Sequence, residues 1–244
     1  MNSAVETLRE IKDREEIRAI RDSIRCAEKG FEIVRHSLRP DQTEIDVRNE
    51  LEYQMRKMGA DDRGFPTIAA VGPRAALPHA VPTDRFRVRD AELLLIDWGA
   101  KKNFYVSDLT RVLITAAKPS SKLRKIYQIV LDAQKAAIAA IRPGVMAEEV
   151  DAAARRVIEN AGFGKAFHHG LGHGIGLVVH DQGRLSVGCK TPLRPGMVLT
   201  VEPGIYLPDW GGVRIEDDIL VTRSGVTVLS DGFPKEFDEM IVDF

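Results

Sequence analysis

The chain alternates between stretches in which apolar residues follow helical spacing and short apolar runs typical of strands. Apolar residues that recur about every 3.6 positions predict four helices. A residue suited to capping precedes two of them, Thr43 and Ser120 or Ser121, and a glycine or a Pro-Gly pair follows three. The predicted helices span about residues 13–38, 43–58, 122–141 and 147–161, and a strand is predicted at 65–70.

Two pairs of apolar runs predict β-hairpins. LLLID and VSDLTRVLIT flank a turn at residues 101–103, and VLTVEPGIY and GVRIEDDILVT flank a turn at 208–212. Asp97 and Asp108 lie at about equal distances from the first turn, and Glu202 and Glu216 lie symmetrically about the second. Because residues opposite each other in a hairpin have neighbouring side chains, each carboxylate pair is expected to face inward together.

Each half of the chain therefore contributes two helices and one hairpin that carries two carboxylates. This arrangement predicts an α+β fold with pseudo-twofold symmetry. No low-complexity linker divides the chain, and its 244 residues suffice for a sizeable core. We expect residues 1–244 to form a single domain.

The glycine-rich segment HHGLGHGIG places His173 between alternating glycines. Four buried carboxylates without counter-charges would be too costly, whereas four carboxylates and one imidazole suit two divalent cations. The predicted metal ligands are Asp97, Asp108, His173, Glu202 and Glu216. This set indicates a two-metal hydrolase. Any single acidic residue at a strand end can equally be solvated or paired with arginine, and a phosphate loop is disfavoured because no GK[ST] follows the glycines.

Further polar residues stand beside the predicted ligands. His169 and His180 are candidates for hydrogen bonding to a substrate carbonyl or for proton transfer. Arg214 precedes Glu216 by two positions, so both side chains should leave the same face of a strand. It would either orient a ligand or bind a substrate carboxylate, or it would balance the charge of the cluster. Arg111, three positions after Asp108, should leave the opposite face and serve a structural role.

Bulk composition excludes several classes of partner. A formal net charge of −1 argues against nucleic acid and membrane surfaces, and no apolar run approaches the ~18–20 residues of a membrane span. Cys26 and Cys189 are too few for a disulfide framework. We therefore expect a reduced, cytoplasmic setting.

The motifs LLLIDWGA, SDLTRV, HHGLGHGIG and VEPGIYLPDWGGVRIEDD resemble those of the pita-bread metallopeptidases, over nearly the whole chain. That family includes methionine aminopeptidases, Xaa-Pro aminopeptidases and prolidases. The resemblance implies a curved antiparallel sheet flanked by helices. The phrases FPTIAAVGPRAALPHAVPTD, HDQGRLS and GGVRIEDD look like the Xaa-Pro branch, in which His79, His169, His180 and Arg214 match residues of the catalytic pocket.

The resemblance implies an exopeptidase that cleaves between an N-terminal residue and proline in a short peptide or dipeptide. Asp97 would bind one metal, His173 and Glu202 the other, and Asp108 and Glu216 would bridge them. A bridging hydroxide would attack the scissile carbonyl, and Glu202 would relay its proton to the leaving nitrogen. Mn²⁺ is the metal that the branch favours, while Co²⁺, Zn²⁺ and Fe²⁺ also suit these ligands.

Other interpretations stay open. A methionine aminopeptidase uses the same chemistry and often consists of this domain alone. A peptide-binding module without catalysis, or an enzyme that hydrolyses a small amidine without metal, is disfavoured by the complete ligand set. The Xaa-Pro enzymes usually carry an N-terminal domain that this sequence lacks, so we expect a catalytic domain alone. A homodimer is expected from the resemblance.

Overall fold

Two helices of the chain begin at capping residues that the sequence indicates, Thr43 and Ser120. The computed structural model describes residues 4–244, so the single-domain prediction for 1–244 includes three residues outside the described part. Within it, the α-helices are α1 Ala4–Glu10, α2 Arg14–Ser37, α3 Glu44–Lys57, α4 Ser121–Ala140 and α5 Ala147–Asn160. The four predicted helices are confirmed as α2 to α5. The short α1 was not predicted; its two large apolar side chains, Val5 and Leu8, are exposed, and none of its residues is buried.

Reciprocal hydrogen bonds at the N-termini explain where α2 and α3 start. Asp13 Oδ1 accepts from the backbone N–H of Glu15 at 2.8 Å and of Glu16 at 2.9 Å, while Glu16 Oε2 accepts from Asp13 N–H at 2.8 Å. Thr43 and Asp46 form the same kind of capping box. These bonds satisfy backbone donors that have no partner within a helix.

The strands of the described part are short and lie mostly in antiparallel pairs. They are β1 Asp62–Arg63, β2 Ile68–Val71, β3 Leu93–Trp98, β4 Ala100–Lys102, β5 Tyr105–Val106, β6 Leu109–Ile114, β7 Gly172–Gly174, β8 Asp181–Leu185, β9 Val198–Val201, β10 Gly204–Leu207, β11 Gly211–Arg214, β12 Asp217–Val221 and β13 Val226–Val228.

Backbone bridges from β6 connect the two halves of the chain. One sheet has the strand order β2-β3-β6 and the other has the order β13-β12-β9-β7-β8. A bridge between Thr110 and Glu216 links β6 to the start of β12. Helix α2 packs on α3 and α4 packs on α5. One cluster of buried apolar side chains draws on elements of both halves, so the two halves share a core.

The second predicted hairpin forms as expected. Val201 pairs with Asp217 across β9 and β12, and Gly204 pairs with Arg214 across β10 and β11, so both pairings share one register about the same turn. The turn includes Asp209, whose φ of 65° lies in the left-handed region that aspartate tolerates.

The first hairpin differs from its prediction. An additional small hairpin, β4 and β5, stands between β3 and β6, and its turn contains Asn103 and Phe104 with φ of 50° and 71°. As a result Asp97 lies opposite Thr110 rather than Asp108. Asp108 instead precedes β6, where its backbone N–H donates to Asp218 Oδ2 at 3.0 Å.

None of the helices in residues 4–244 combines the length and the apolar character that crossing a membrane requires.

Candidate active site

The residues that the sequence analysis singled out converge on one cavity of about 1050 Å³. It lies where the two hairpins, the glycine-rich segment and the loop between β2 and β3 meet. All nine predicted site residues line it: His79, Asp97, Asp108, His169, His173, His180, Glu202, Arg214 and Glu216. The remaining walls combine apolar side chains from the segment before β3 with polar side chains from β8 and the loop that follows it.

Glu202 and Glu216 reach the cavity from the ends of paired strands. Glu202 follows β9, and its backbone N–H donates to Leu171 O at 2.8 Å, which ties the second hairpin to the glycine-rich segment. Glu216 precedes β12 and is 1% exposed. Thr110 Oγ1 donates to Glu216 Oε2 at 2.5 Å, so a residue of the first hairpin fixes a carboxylate of the second.

His173 lies on β7, which its flanking glycines allow to approach its neighbours closely. A Cβ atom at Gly172 would stand 2.0 Å from Thr200 O, and one at Gly174 would stand 1.7 Å from Gln182 O. Either side chain would push β7 away from the adjoining strands. The glycines therefore set the depth at which the imidazole enters the cavity.

The imidazole of His173 turns an acceptor atom toward two carboxylates. Its Nδ1 lies 3.1 Å from Gly174 O, and a carbonyl oxygen only accepts, so Nδ1 carries the proton in the neutral ring. Burial lowers the pKa of His173 to about 4, which favours that neutral form. Its Nε2 lies 3.5 Å from Asp108 Oδ2 and 3.4 Å from Glu202 Oε1. A lone pair that faces two carboxylate oxygens requires a proton or a cation among them.

A chain of hydrogen bonds connects the arginine of the site to its carboxylates. Arg214 donates through Nη2 to Asp97 Oδ2 at 2.5 Å, through Nε to Thr110 Oγ1 at 3.1 Å and through Nη1 to Tyr206 Oη at 2.9 Å. Tyr206 Oη also lies 2.8 Å from His169 Nε2. Since His169 Nδ1 lies 2.7 Å from Gly170 O, the tyrosine hydroxyl donates to Nε2.

Charge repulsion and burial act together on the four carboxyl groups. Burial raises the pKa of Asp97 and, to about 8, that of Glu202, although Arg214 opposes both shifts. For Asp108 and Glu216 burial again comes first, and neighbouring carboxylates push the pKa further upward. Without an added positive charge, the cluster would bind protons at neutral pH. One arginine does not neutralise four carboxylates.

The two remaining histidines occupy the rim. The rings of His180 and His173 have centroids 4.3 Å apart and meet nearly edge to face. His79 is exposed on the loop between β2 and β3, and both it and His180 are close enough to Asp97 to lower its pKa. Both imidazoles therefore border the space above the carboxylates, within reach of a bound ligand.

Comparisons with known proteins agree with this geometry. Residues 18–223 match the model of metallopeptidase family M24. The chain belongs to this family. It is 43% identical over 230 residues to an Xaa-Pro dipeptidase from Pyrococcus furiosus, covering 94% of this chain and 66% of that protein.

Two solved structures of family M24 relatives superpose closely. An X-Pro aminopeptidase from Thermotoga maritima has a TM-score of 0.92 at 38% identity, with 98% of this chain and 66% of that chain covered. An Xaa-Pro dipeptidase from Bacillus anthracis has a TM-score of 0.92 at 43% identity, with the same coverage. The pita-bread fold is thereby confirmed. The chain spans just under two thirds of the length of these relatives.

Membership of family M24 implies divalent metal ions, and the residues present fit them. One ligand atom each from Asp108, His173 and Glu216 lie within 4.8 Å of one another, a spread compatible with ligand bonds of about 2.0–2.2 Å to a shared ion. Asp97 Oδ1 is buried and has no hydrogen-bond partner among the described residues. An orphaned carboxylate oxygen and an unprotonated imidazole nitrogen are both suited to a hard or borderline cation.

Three residues at this site were not predicted from the sequence. Thr110 and Tyr206 lie two and four positions from the predicted ligands Asp108 and Glu202, so strand alternation was an available signal. Arg184 lies opposite His173 in the pairing of β7 with β8, lines the cavity and is exposed. It forms no ion pair with a carboxylate of the described part. No local signal marked it, because a register shift between β7 and β8 decides its position.

Proposed function

We propose that the chain is a dinuclear metal-dependent exopeptidase that hydrolyses the bond between an N-terminal residue and proline. The observation that carries the proposal is the cluster of Asp108, His173 and Glu216 on the wall of a cavity wide enough for a short peptide. Relatives named Xaa-Pro dipeptidase and X-Pro aminopeptidase support the choice of substrate. The ions we propose are two Mn²⁺, and a cytoplasmic setting and a homodimer stay predictions.

Five side chains would hold the ions in this proposal: Asp97, Asp108, His173, Glu202 and Glu216. Two divalent ions bound there would polarise the scissile carbonyl and make water more acidic. Glu202, beside His173 at the end of β9, would accept the proton of the attacking water and pass it to the leaving proline nitrogen. His180 and His79, at the rim, would donate hydrogen bonds to the carbonyl oxygen as it gains negative charge.

The network around Arg214 would keep the ligands in place. Arg214 donates to Asp97 and, through Thr110, is connected to Glu216. The side chain of Arg214 is 3% exposed, and its three donor groups are engaged. This engagement supports orientation of the ligands and balance of their charge rather than direct binding of a substrate carboxylate.

Arg184 supports a dipeptide as the substrate. It is exposed, lines the cavity and forms no ion pair with the described carboxylates, so its guanidinium is available to an anionic ligand. In a dipeptide the C-terminal carboxylate belongs to the residue that follows the scissile bond, so it must bind close to the metal ligands. Arg184 is placed for this, because it lies on β8 directly opposite His173 of β7. A guanidinium binds a carboxylate with two parallel hydrogen bonds, which gives both affinity and orientation.

The test of the activity is hydrolysis of short Xaa-Pro peptides by metal-stripped protein after addition of Mn²⁺, Co²⁺ or Zn²⁺. Met-Ala-Ser serves as the control peptide. We expect metal-restored cleavage before proline alone. Cleavage of the control alone would instead identify a methionine aminopeptidase. Binding of two metals without any cleavage would indicate a binding module, or a need for the part of the relatives that this chain does not match.

The test of the dipeptide preference is Arg184→Met, with Arg223→Met as the control because Arg223 is exposed away from the cavity. Loss of a charge-assisted pair worth about 1.5–3 kcal/mol should raise KM for an Xaa-Pro dipeptide by roughly tenfold or more. KM for an Xaa-Pro tripeptide amide should change little. An equal loss on both substrates would contradict this role of Arg184.

A further inference from the structure

Arg111 is a fully buried arginine on the side of β6 that faces away from the cavity. Its Nη1 donates to Glu216 O at 2.6 Å and to Thr110 O at 3.0 Å, and its Nε donates to Pro234 O at 2.9 Å. Its Nη2 donates to Asp217 Oδ1 at 2.8 Å. With Phe233 O at 3.5 Å from Nη2, five acceptors from three segments converge on one guanidinium behind the cluster of carboxylates.

Asp217 completes the ion pair and is also fully buried. It accepts from Ser230 Oγ at 2.9 Å, from Gln134 Nε2 at 3.1 Å and from Lys235 Nζ. Both of its oxygens therefore have partners. The pair of Arg111 and Asp217 is satisfied on every side, which is the condition under which buried charges persist in a fold.

A buried ion pair contributes little to stability compared with apolar residues of similar volume. Stability alone therefore does not explain this pair, and we ask which groups it holds in position. The position of this pair is informative. Arg111 bonds the backbone oxygen of Glu216, and Asp217 is the next residue in the chain. The ion pair therefore fixes the peptide group between Glu216 and Asp217, which directly follows the Glu216 side chain.

Glu216 is consequently held from two faces. On the cavity side, Thr110 Oγ1 donates to its carboxylate at 2.5 Å. On the far side, Arg111 donates to its carbonyl at 2.6 Å, and the backbone N–H of Glu216 donates to Thr110 O at 3.2 Å. The adjacent β6 residues Thr110 and Arg111 thus hydrogen bond to the side chain and the backbone of Glu216. These bonds lie at the bridge between Thr110 and Glu216, where the two halves of the fold meet.

We propose that Arg111 is a positioning residue of the metal centre, which sets where Glu216 stands relative to Asp108 and His173. This inference rests on the proposed function, because it assumes that Glu216 binds metal. Partners of metal ligands typically affect metal affinity by ~10–100-fold when they are removed. An ion pair that only stabilised the core would act on unfolding and leave metal affinity unchanged.

The experiment compares Arg111→Lys and Arg111→Met with Lys235→Met. Lysine keeps the positive charge that balances Asp217 but lacks the planar guanidinium whose Nη1 reaches the carbonyls of Glu216 and Thr110. The charge of Asp217 therefore stays balanced while the two hydrogen bonds to the carbonyls are lost. Lys235→Met is the matched control, because it removes the other cation of Asp217 and leaves Glu216 untouched. Mn²⁺ binding is measured by calorimetry, Co²⁺ coordination by visible absorption and thermal unfolding on the metal-free proteins.

We expect both Arg111 variants to bind the weaker of two Mn²⁺ ions about tenfold less tightly and to show an altered Co²⁺ spectrum, while Lys235→Met stays within about twofold of the parent. Parental affinity and spectrum in Arg111→Lys would overturn the inference. So would an equal loss of affinity in Lys235→Met. If the unsubstituted chain bound neither Mn²⁺ nor Co²⁺, the proposed metal centre would fail, and this role of Arg111 with it.

Discussion

The two carboxylate-bearing hairpins have similar sequence patterns but different structures. The second keeps one register from Gly204 opposite Arg214 to Val201 opposite Asp217, so Glu202 and Glu216 stand where a simple hairpin places them. In the first, the inserted β4 and β5 lengthen the connection, and Asp97 lies opposite Thr110. Equal spacing from a turn is therefore not enough to establish that two residues face each other.

Each hairpin nevertheless places two carboxylates in the same cavity. In the first hairpin a hydrogen bond outside the β3–β6 pairing holds Asp108 in place. Asp108 leaves the ladder and is held by the carboxylate of Asp218, which accepts from its backbone N–H. The residue that takes the facing position, Thr110, hydrogen bonds to Glu216 of the other hairpin. The shifted register thus adds a contact between the halves of the site.

The largest effect is expected from removing one ligand on each hairpin. Asp108→Ala and Glu202→Ala should both abolish turnover of an Xaa-Pro peptide and lower the metal content, since each removes an oxygen from the proposed ions. Asp132→Ala, an exposed carboxylate on α4, is the control. Turnover and metal content are measured on the same preparations. Normal activity of Asp108→Ala would refute the dinuclear assignment.

A smaller effect is expected at the rim, which belongs to neither hairpin. His180→Ala should keep the metal content of the parent and lower kcat, by the roughly 10²–10³-fold typical of losing one hydrogen-bond donor to the developing oxyanion. Steady-state kinetics and metal analysis together check this prediction. If the metal content fell together with kcat, His180 would belong to the ligands instead.

Metal removal should make stability depend on pH. In the metal-free chain, burial raises the pKa of Glu202 from 4.5 to about 8, so folding favours its protonated form. That contribution to stability is present below pH 4.5 and is lost as pH rises toward 8. The unfolding temperature of the metal-free protein should therefore fall over this window, and the gain on adding Mn²⁺ should increase. Glu202→Gln should flatten the profile, whereas an unchanged profile would contradict this cause.

The smallest effect concerns the two turns. Phe104 has φ of 71° and Asp209 has φ of 65°, and Phe104 is 75% exposed. A left-handed conformation costs a bulky residue about 1–2 kcal/mol, but aspartate adopts it more readily. After the entropy of glycine is counted, Phe104→Gly should raise the free energy of unfolding by about 0.5–1 kcal/mol. Asp209→Gly should change it less. Urea unfolding at equilibrium measures both, and the opposite ranking would contradict the strain at Phe104.

Local signals explain what the sequence could predict. The stripe of apolar residues indicates α2, and the capping residue Thr43 indicates the start of α3, because both signals involve contacts within a few residues. The second hairpin was equally predictable, since its strands flank one short turn. The convergence of four carboxylates and one imidazole on one cavity was predictable from their chemistry, because such groups need a common counter-charge.

Contacts between distant segments were not predictable in the same way. The position of Arg184 depends on a register shift between β7 and β8, and that of Thr110 depends on the inserted hairpin. Arg111 was expected to leave the face of the strand opposite Asp108 and to be structural, and it lies buried outside the lining of the cavity. Its bond to the backbone of Glu216 forms only when the two halves pack together. A sequence pattern within either half cannot predict that contact.

The most direct test of the central claim is a crystal of the chain soaked in Mn²⁺, with anomalous diffraction measured at the manganese edge. Two peaks in the cavity are predicted, one beside Asp97 and one beside His173 and Glu202, with Asp108 and Glu216 in contact with both. That result would show one metal pair shared by two unlike hairpins. No peak, or a single peak bound by carboxylates of one hairpin only, would contradict the account.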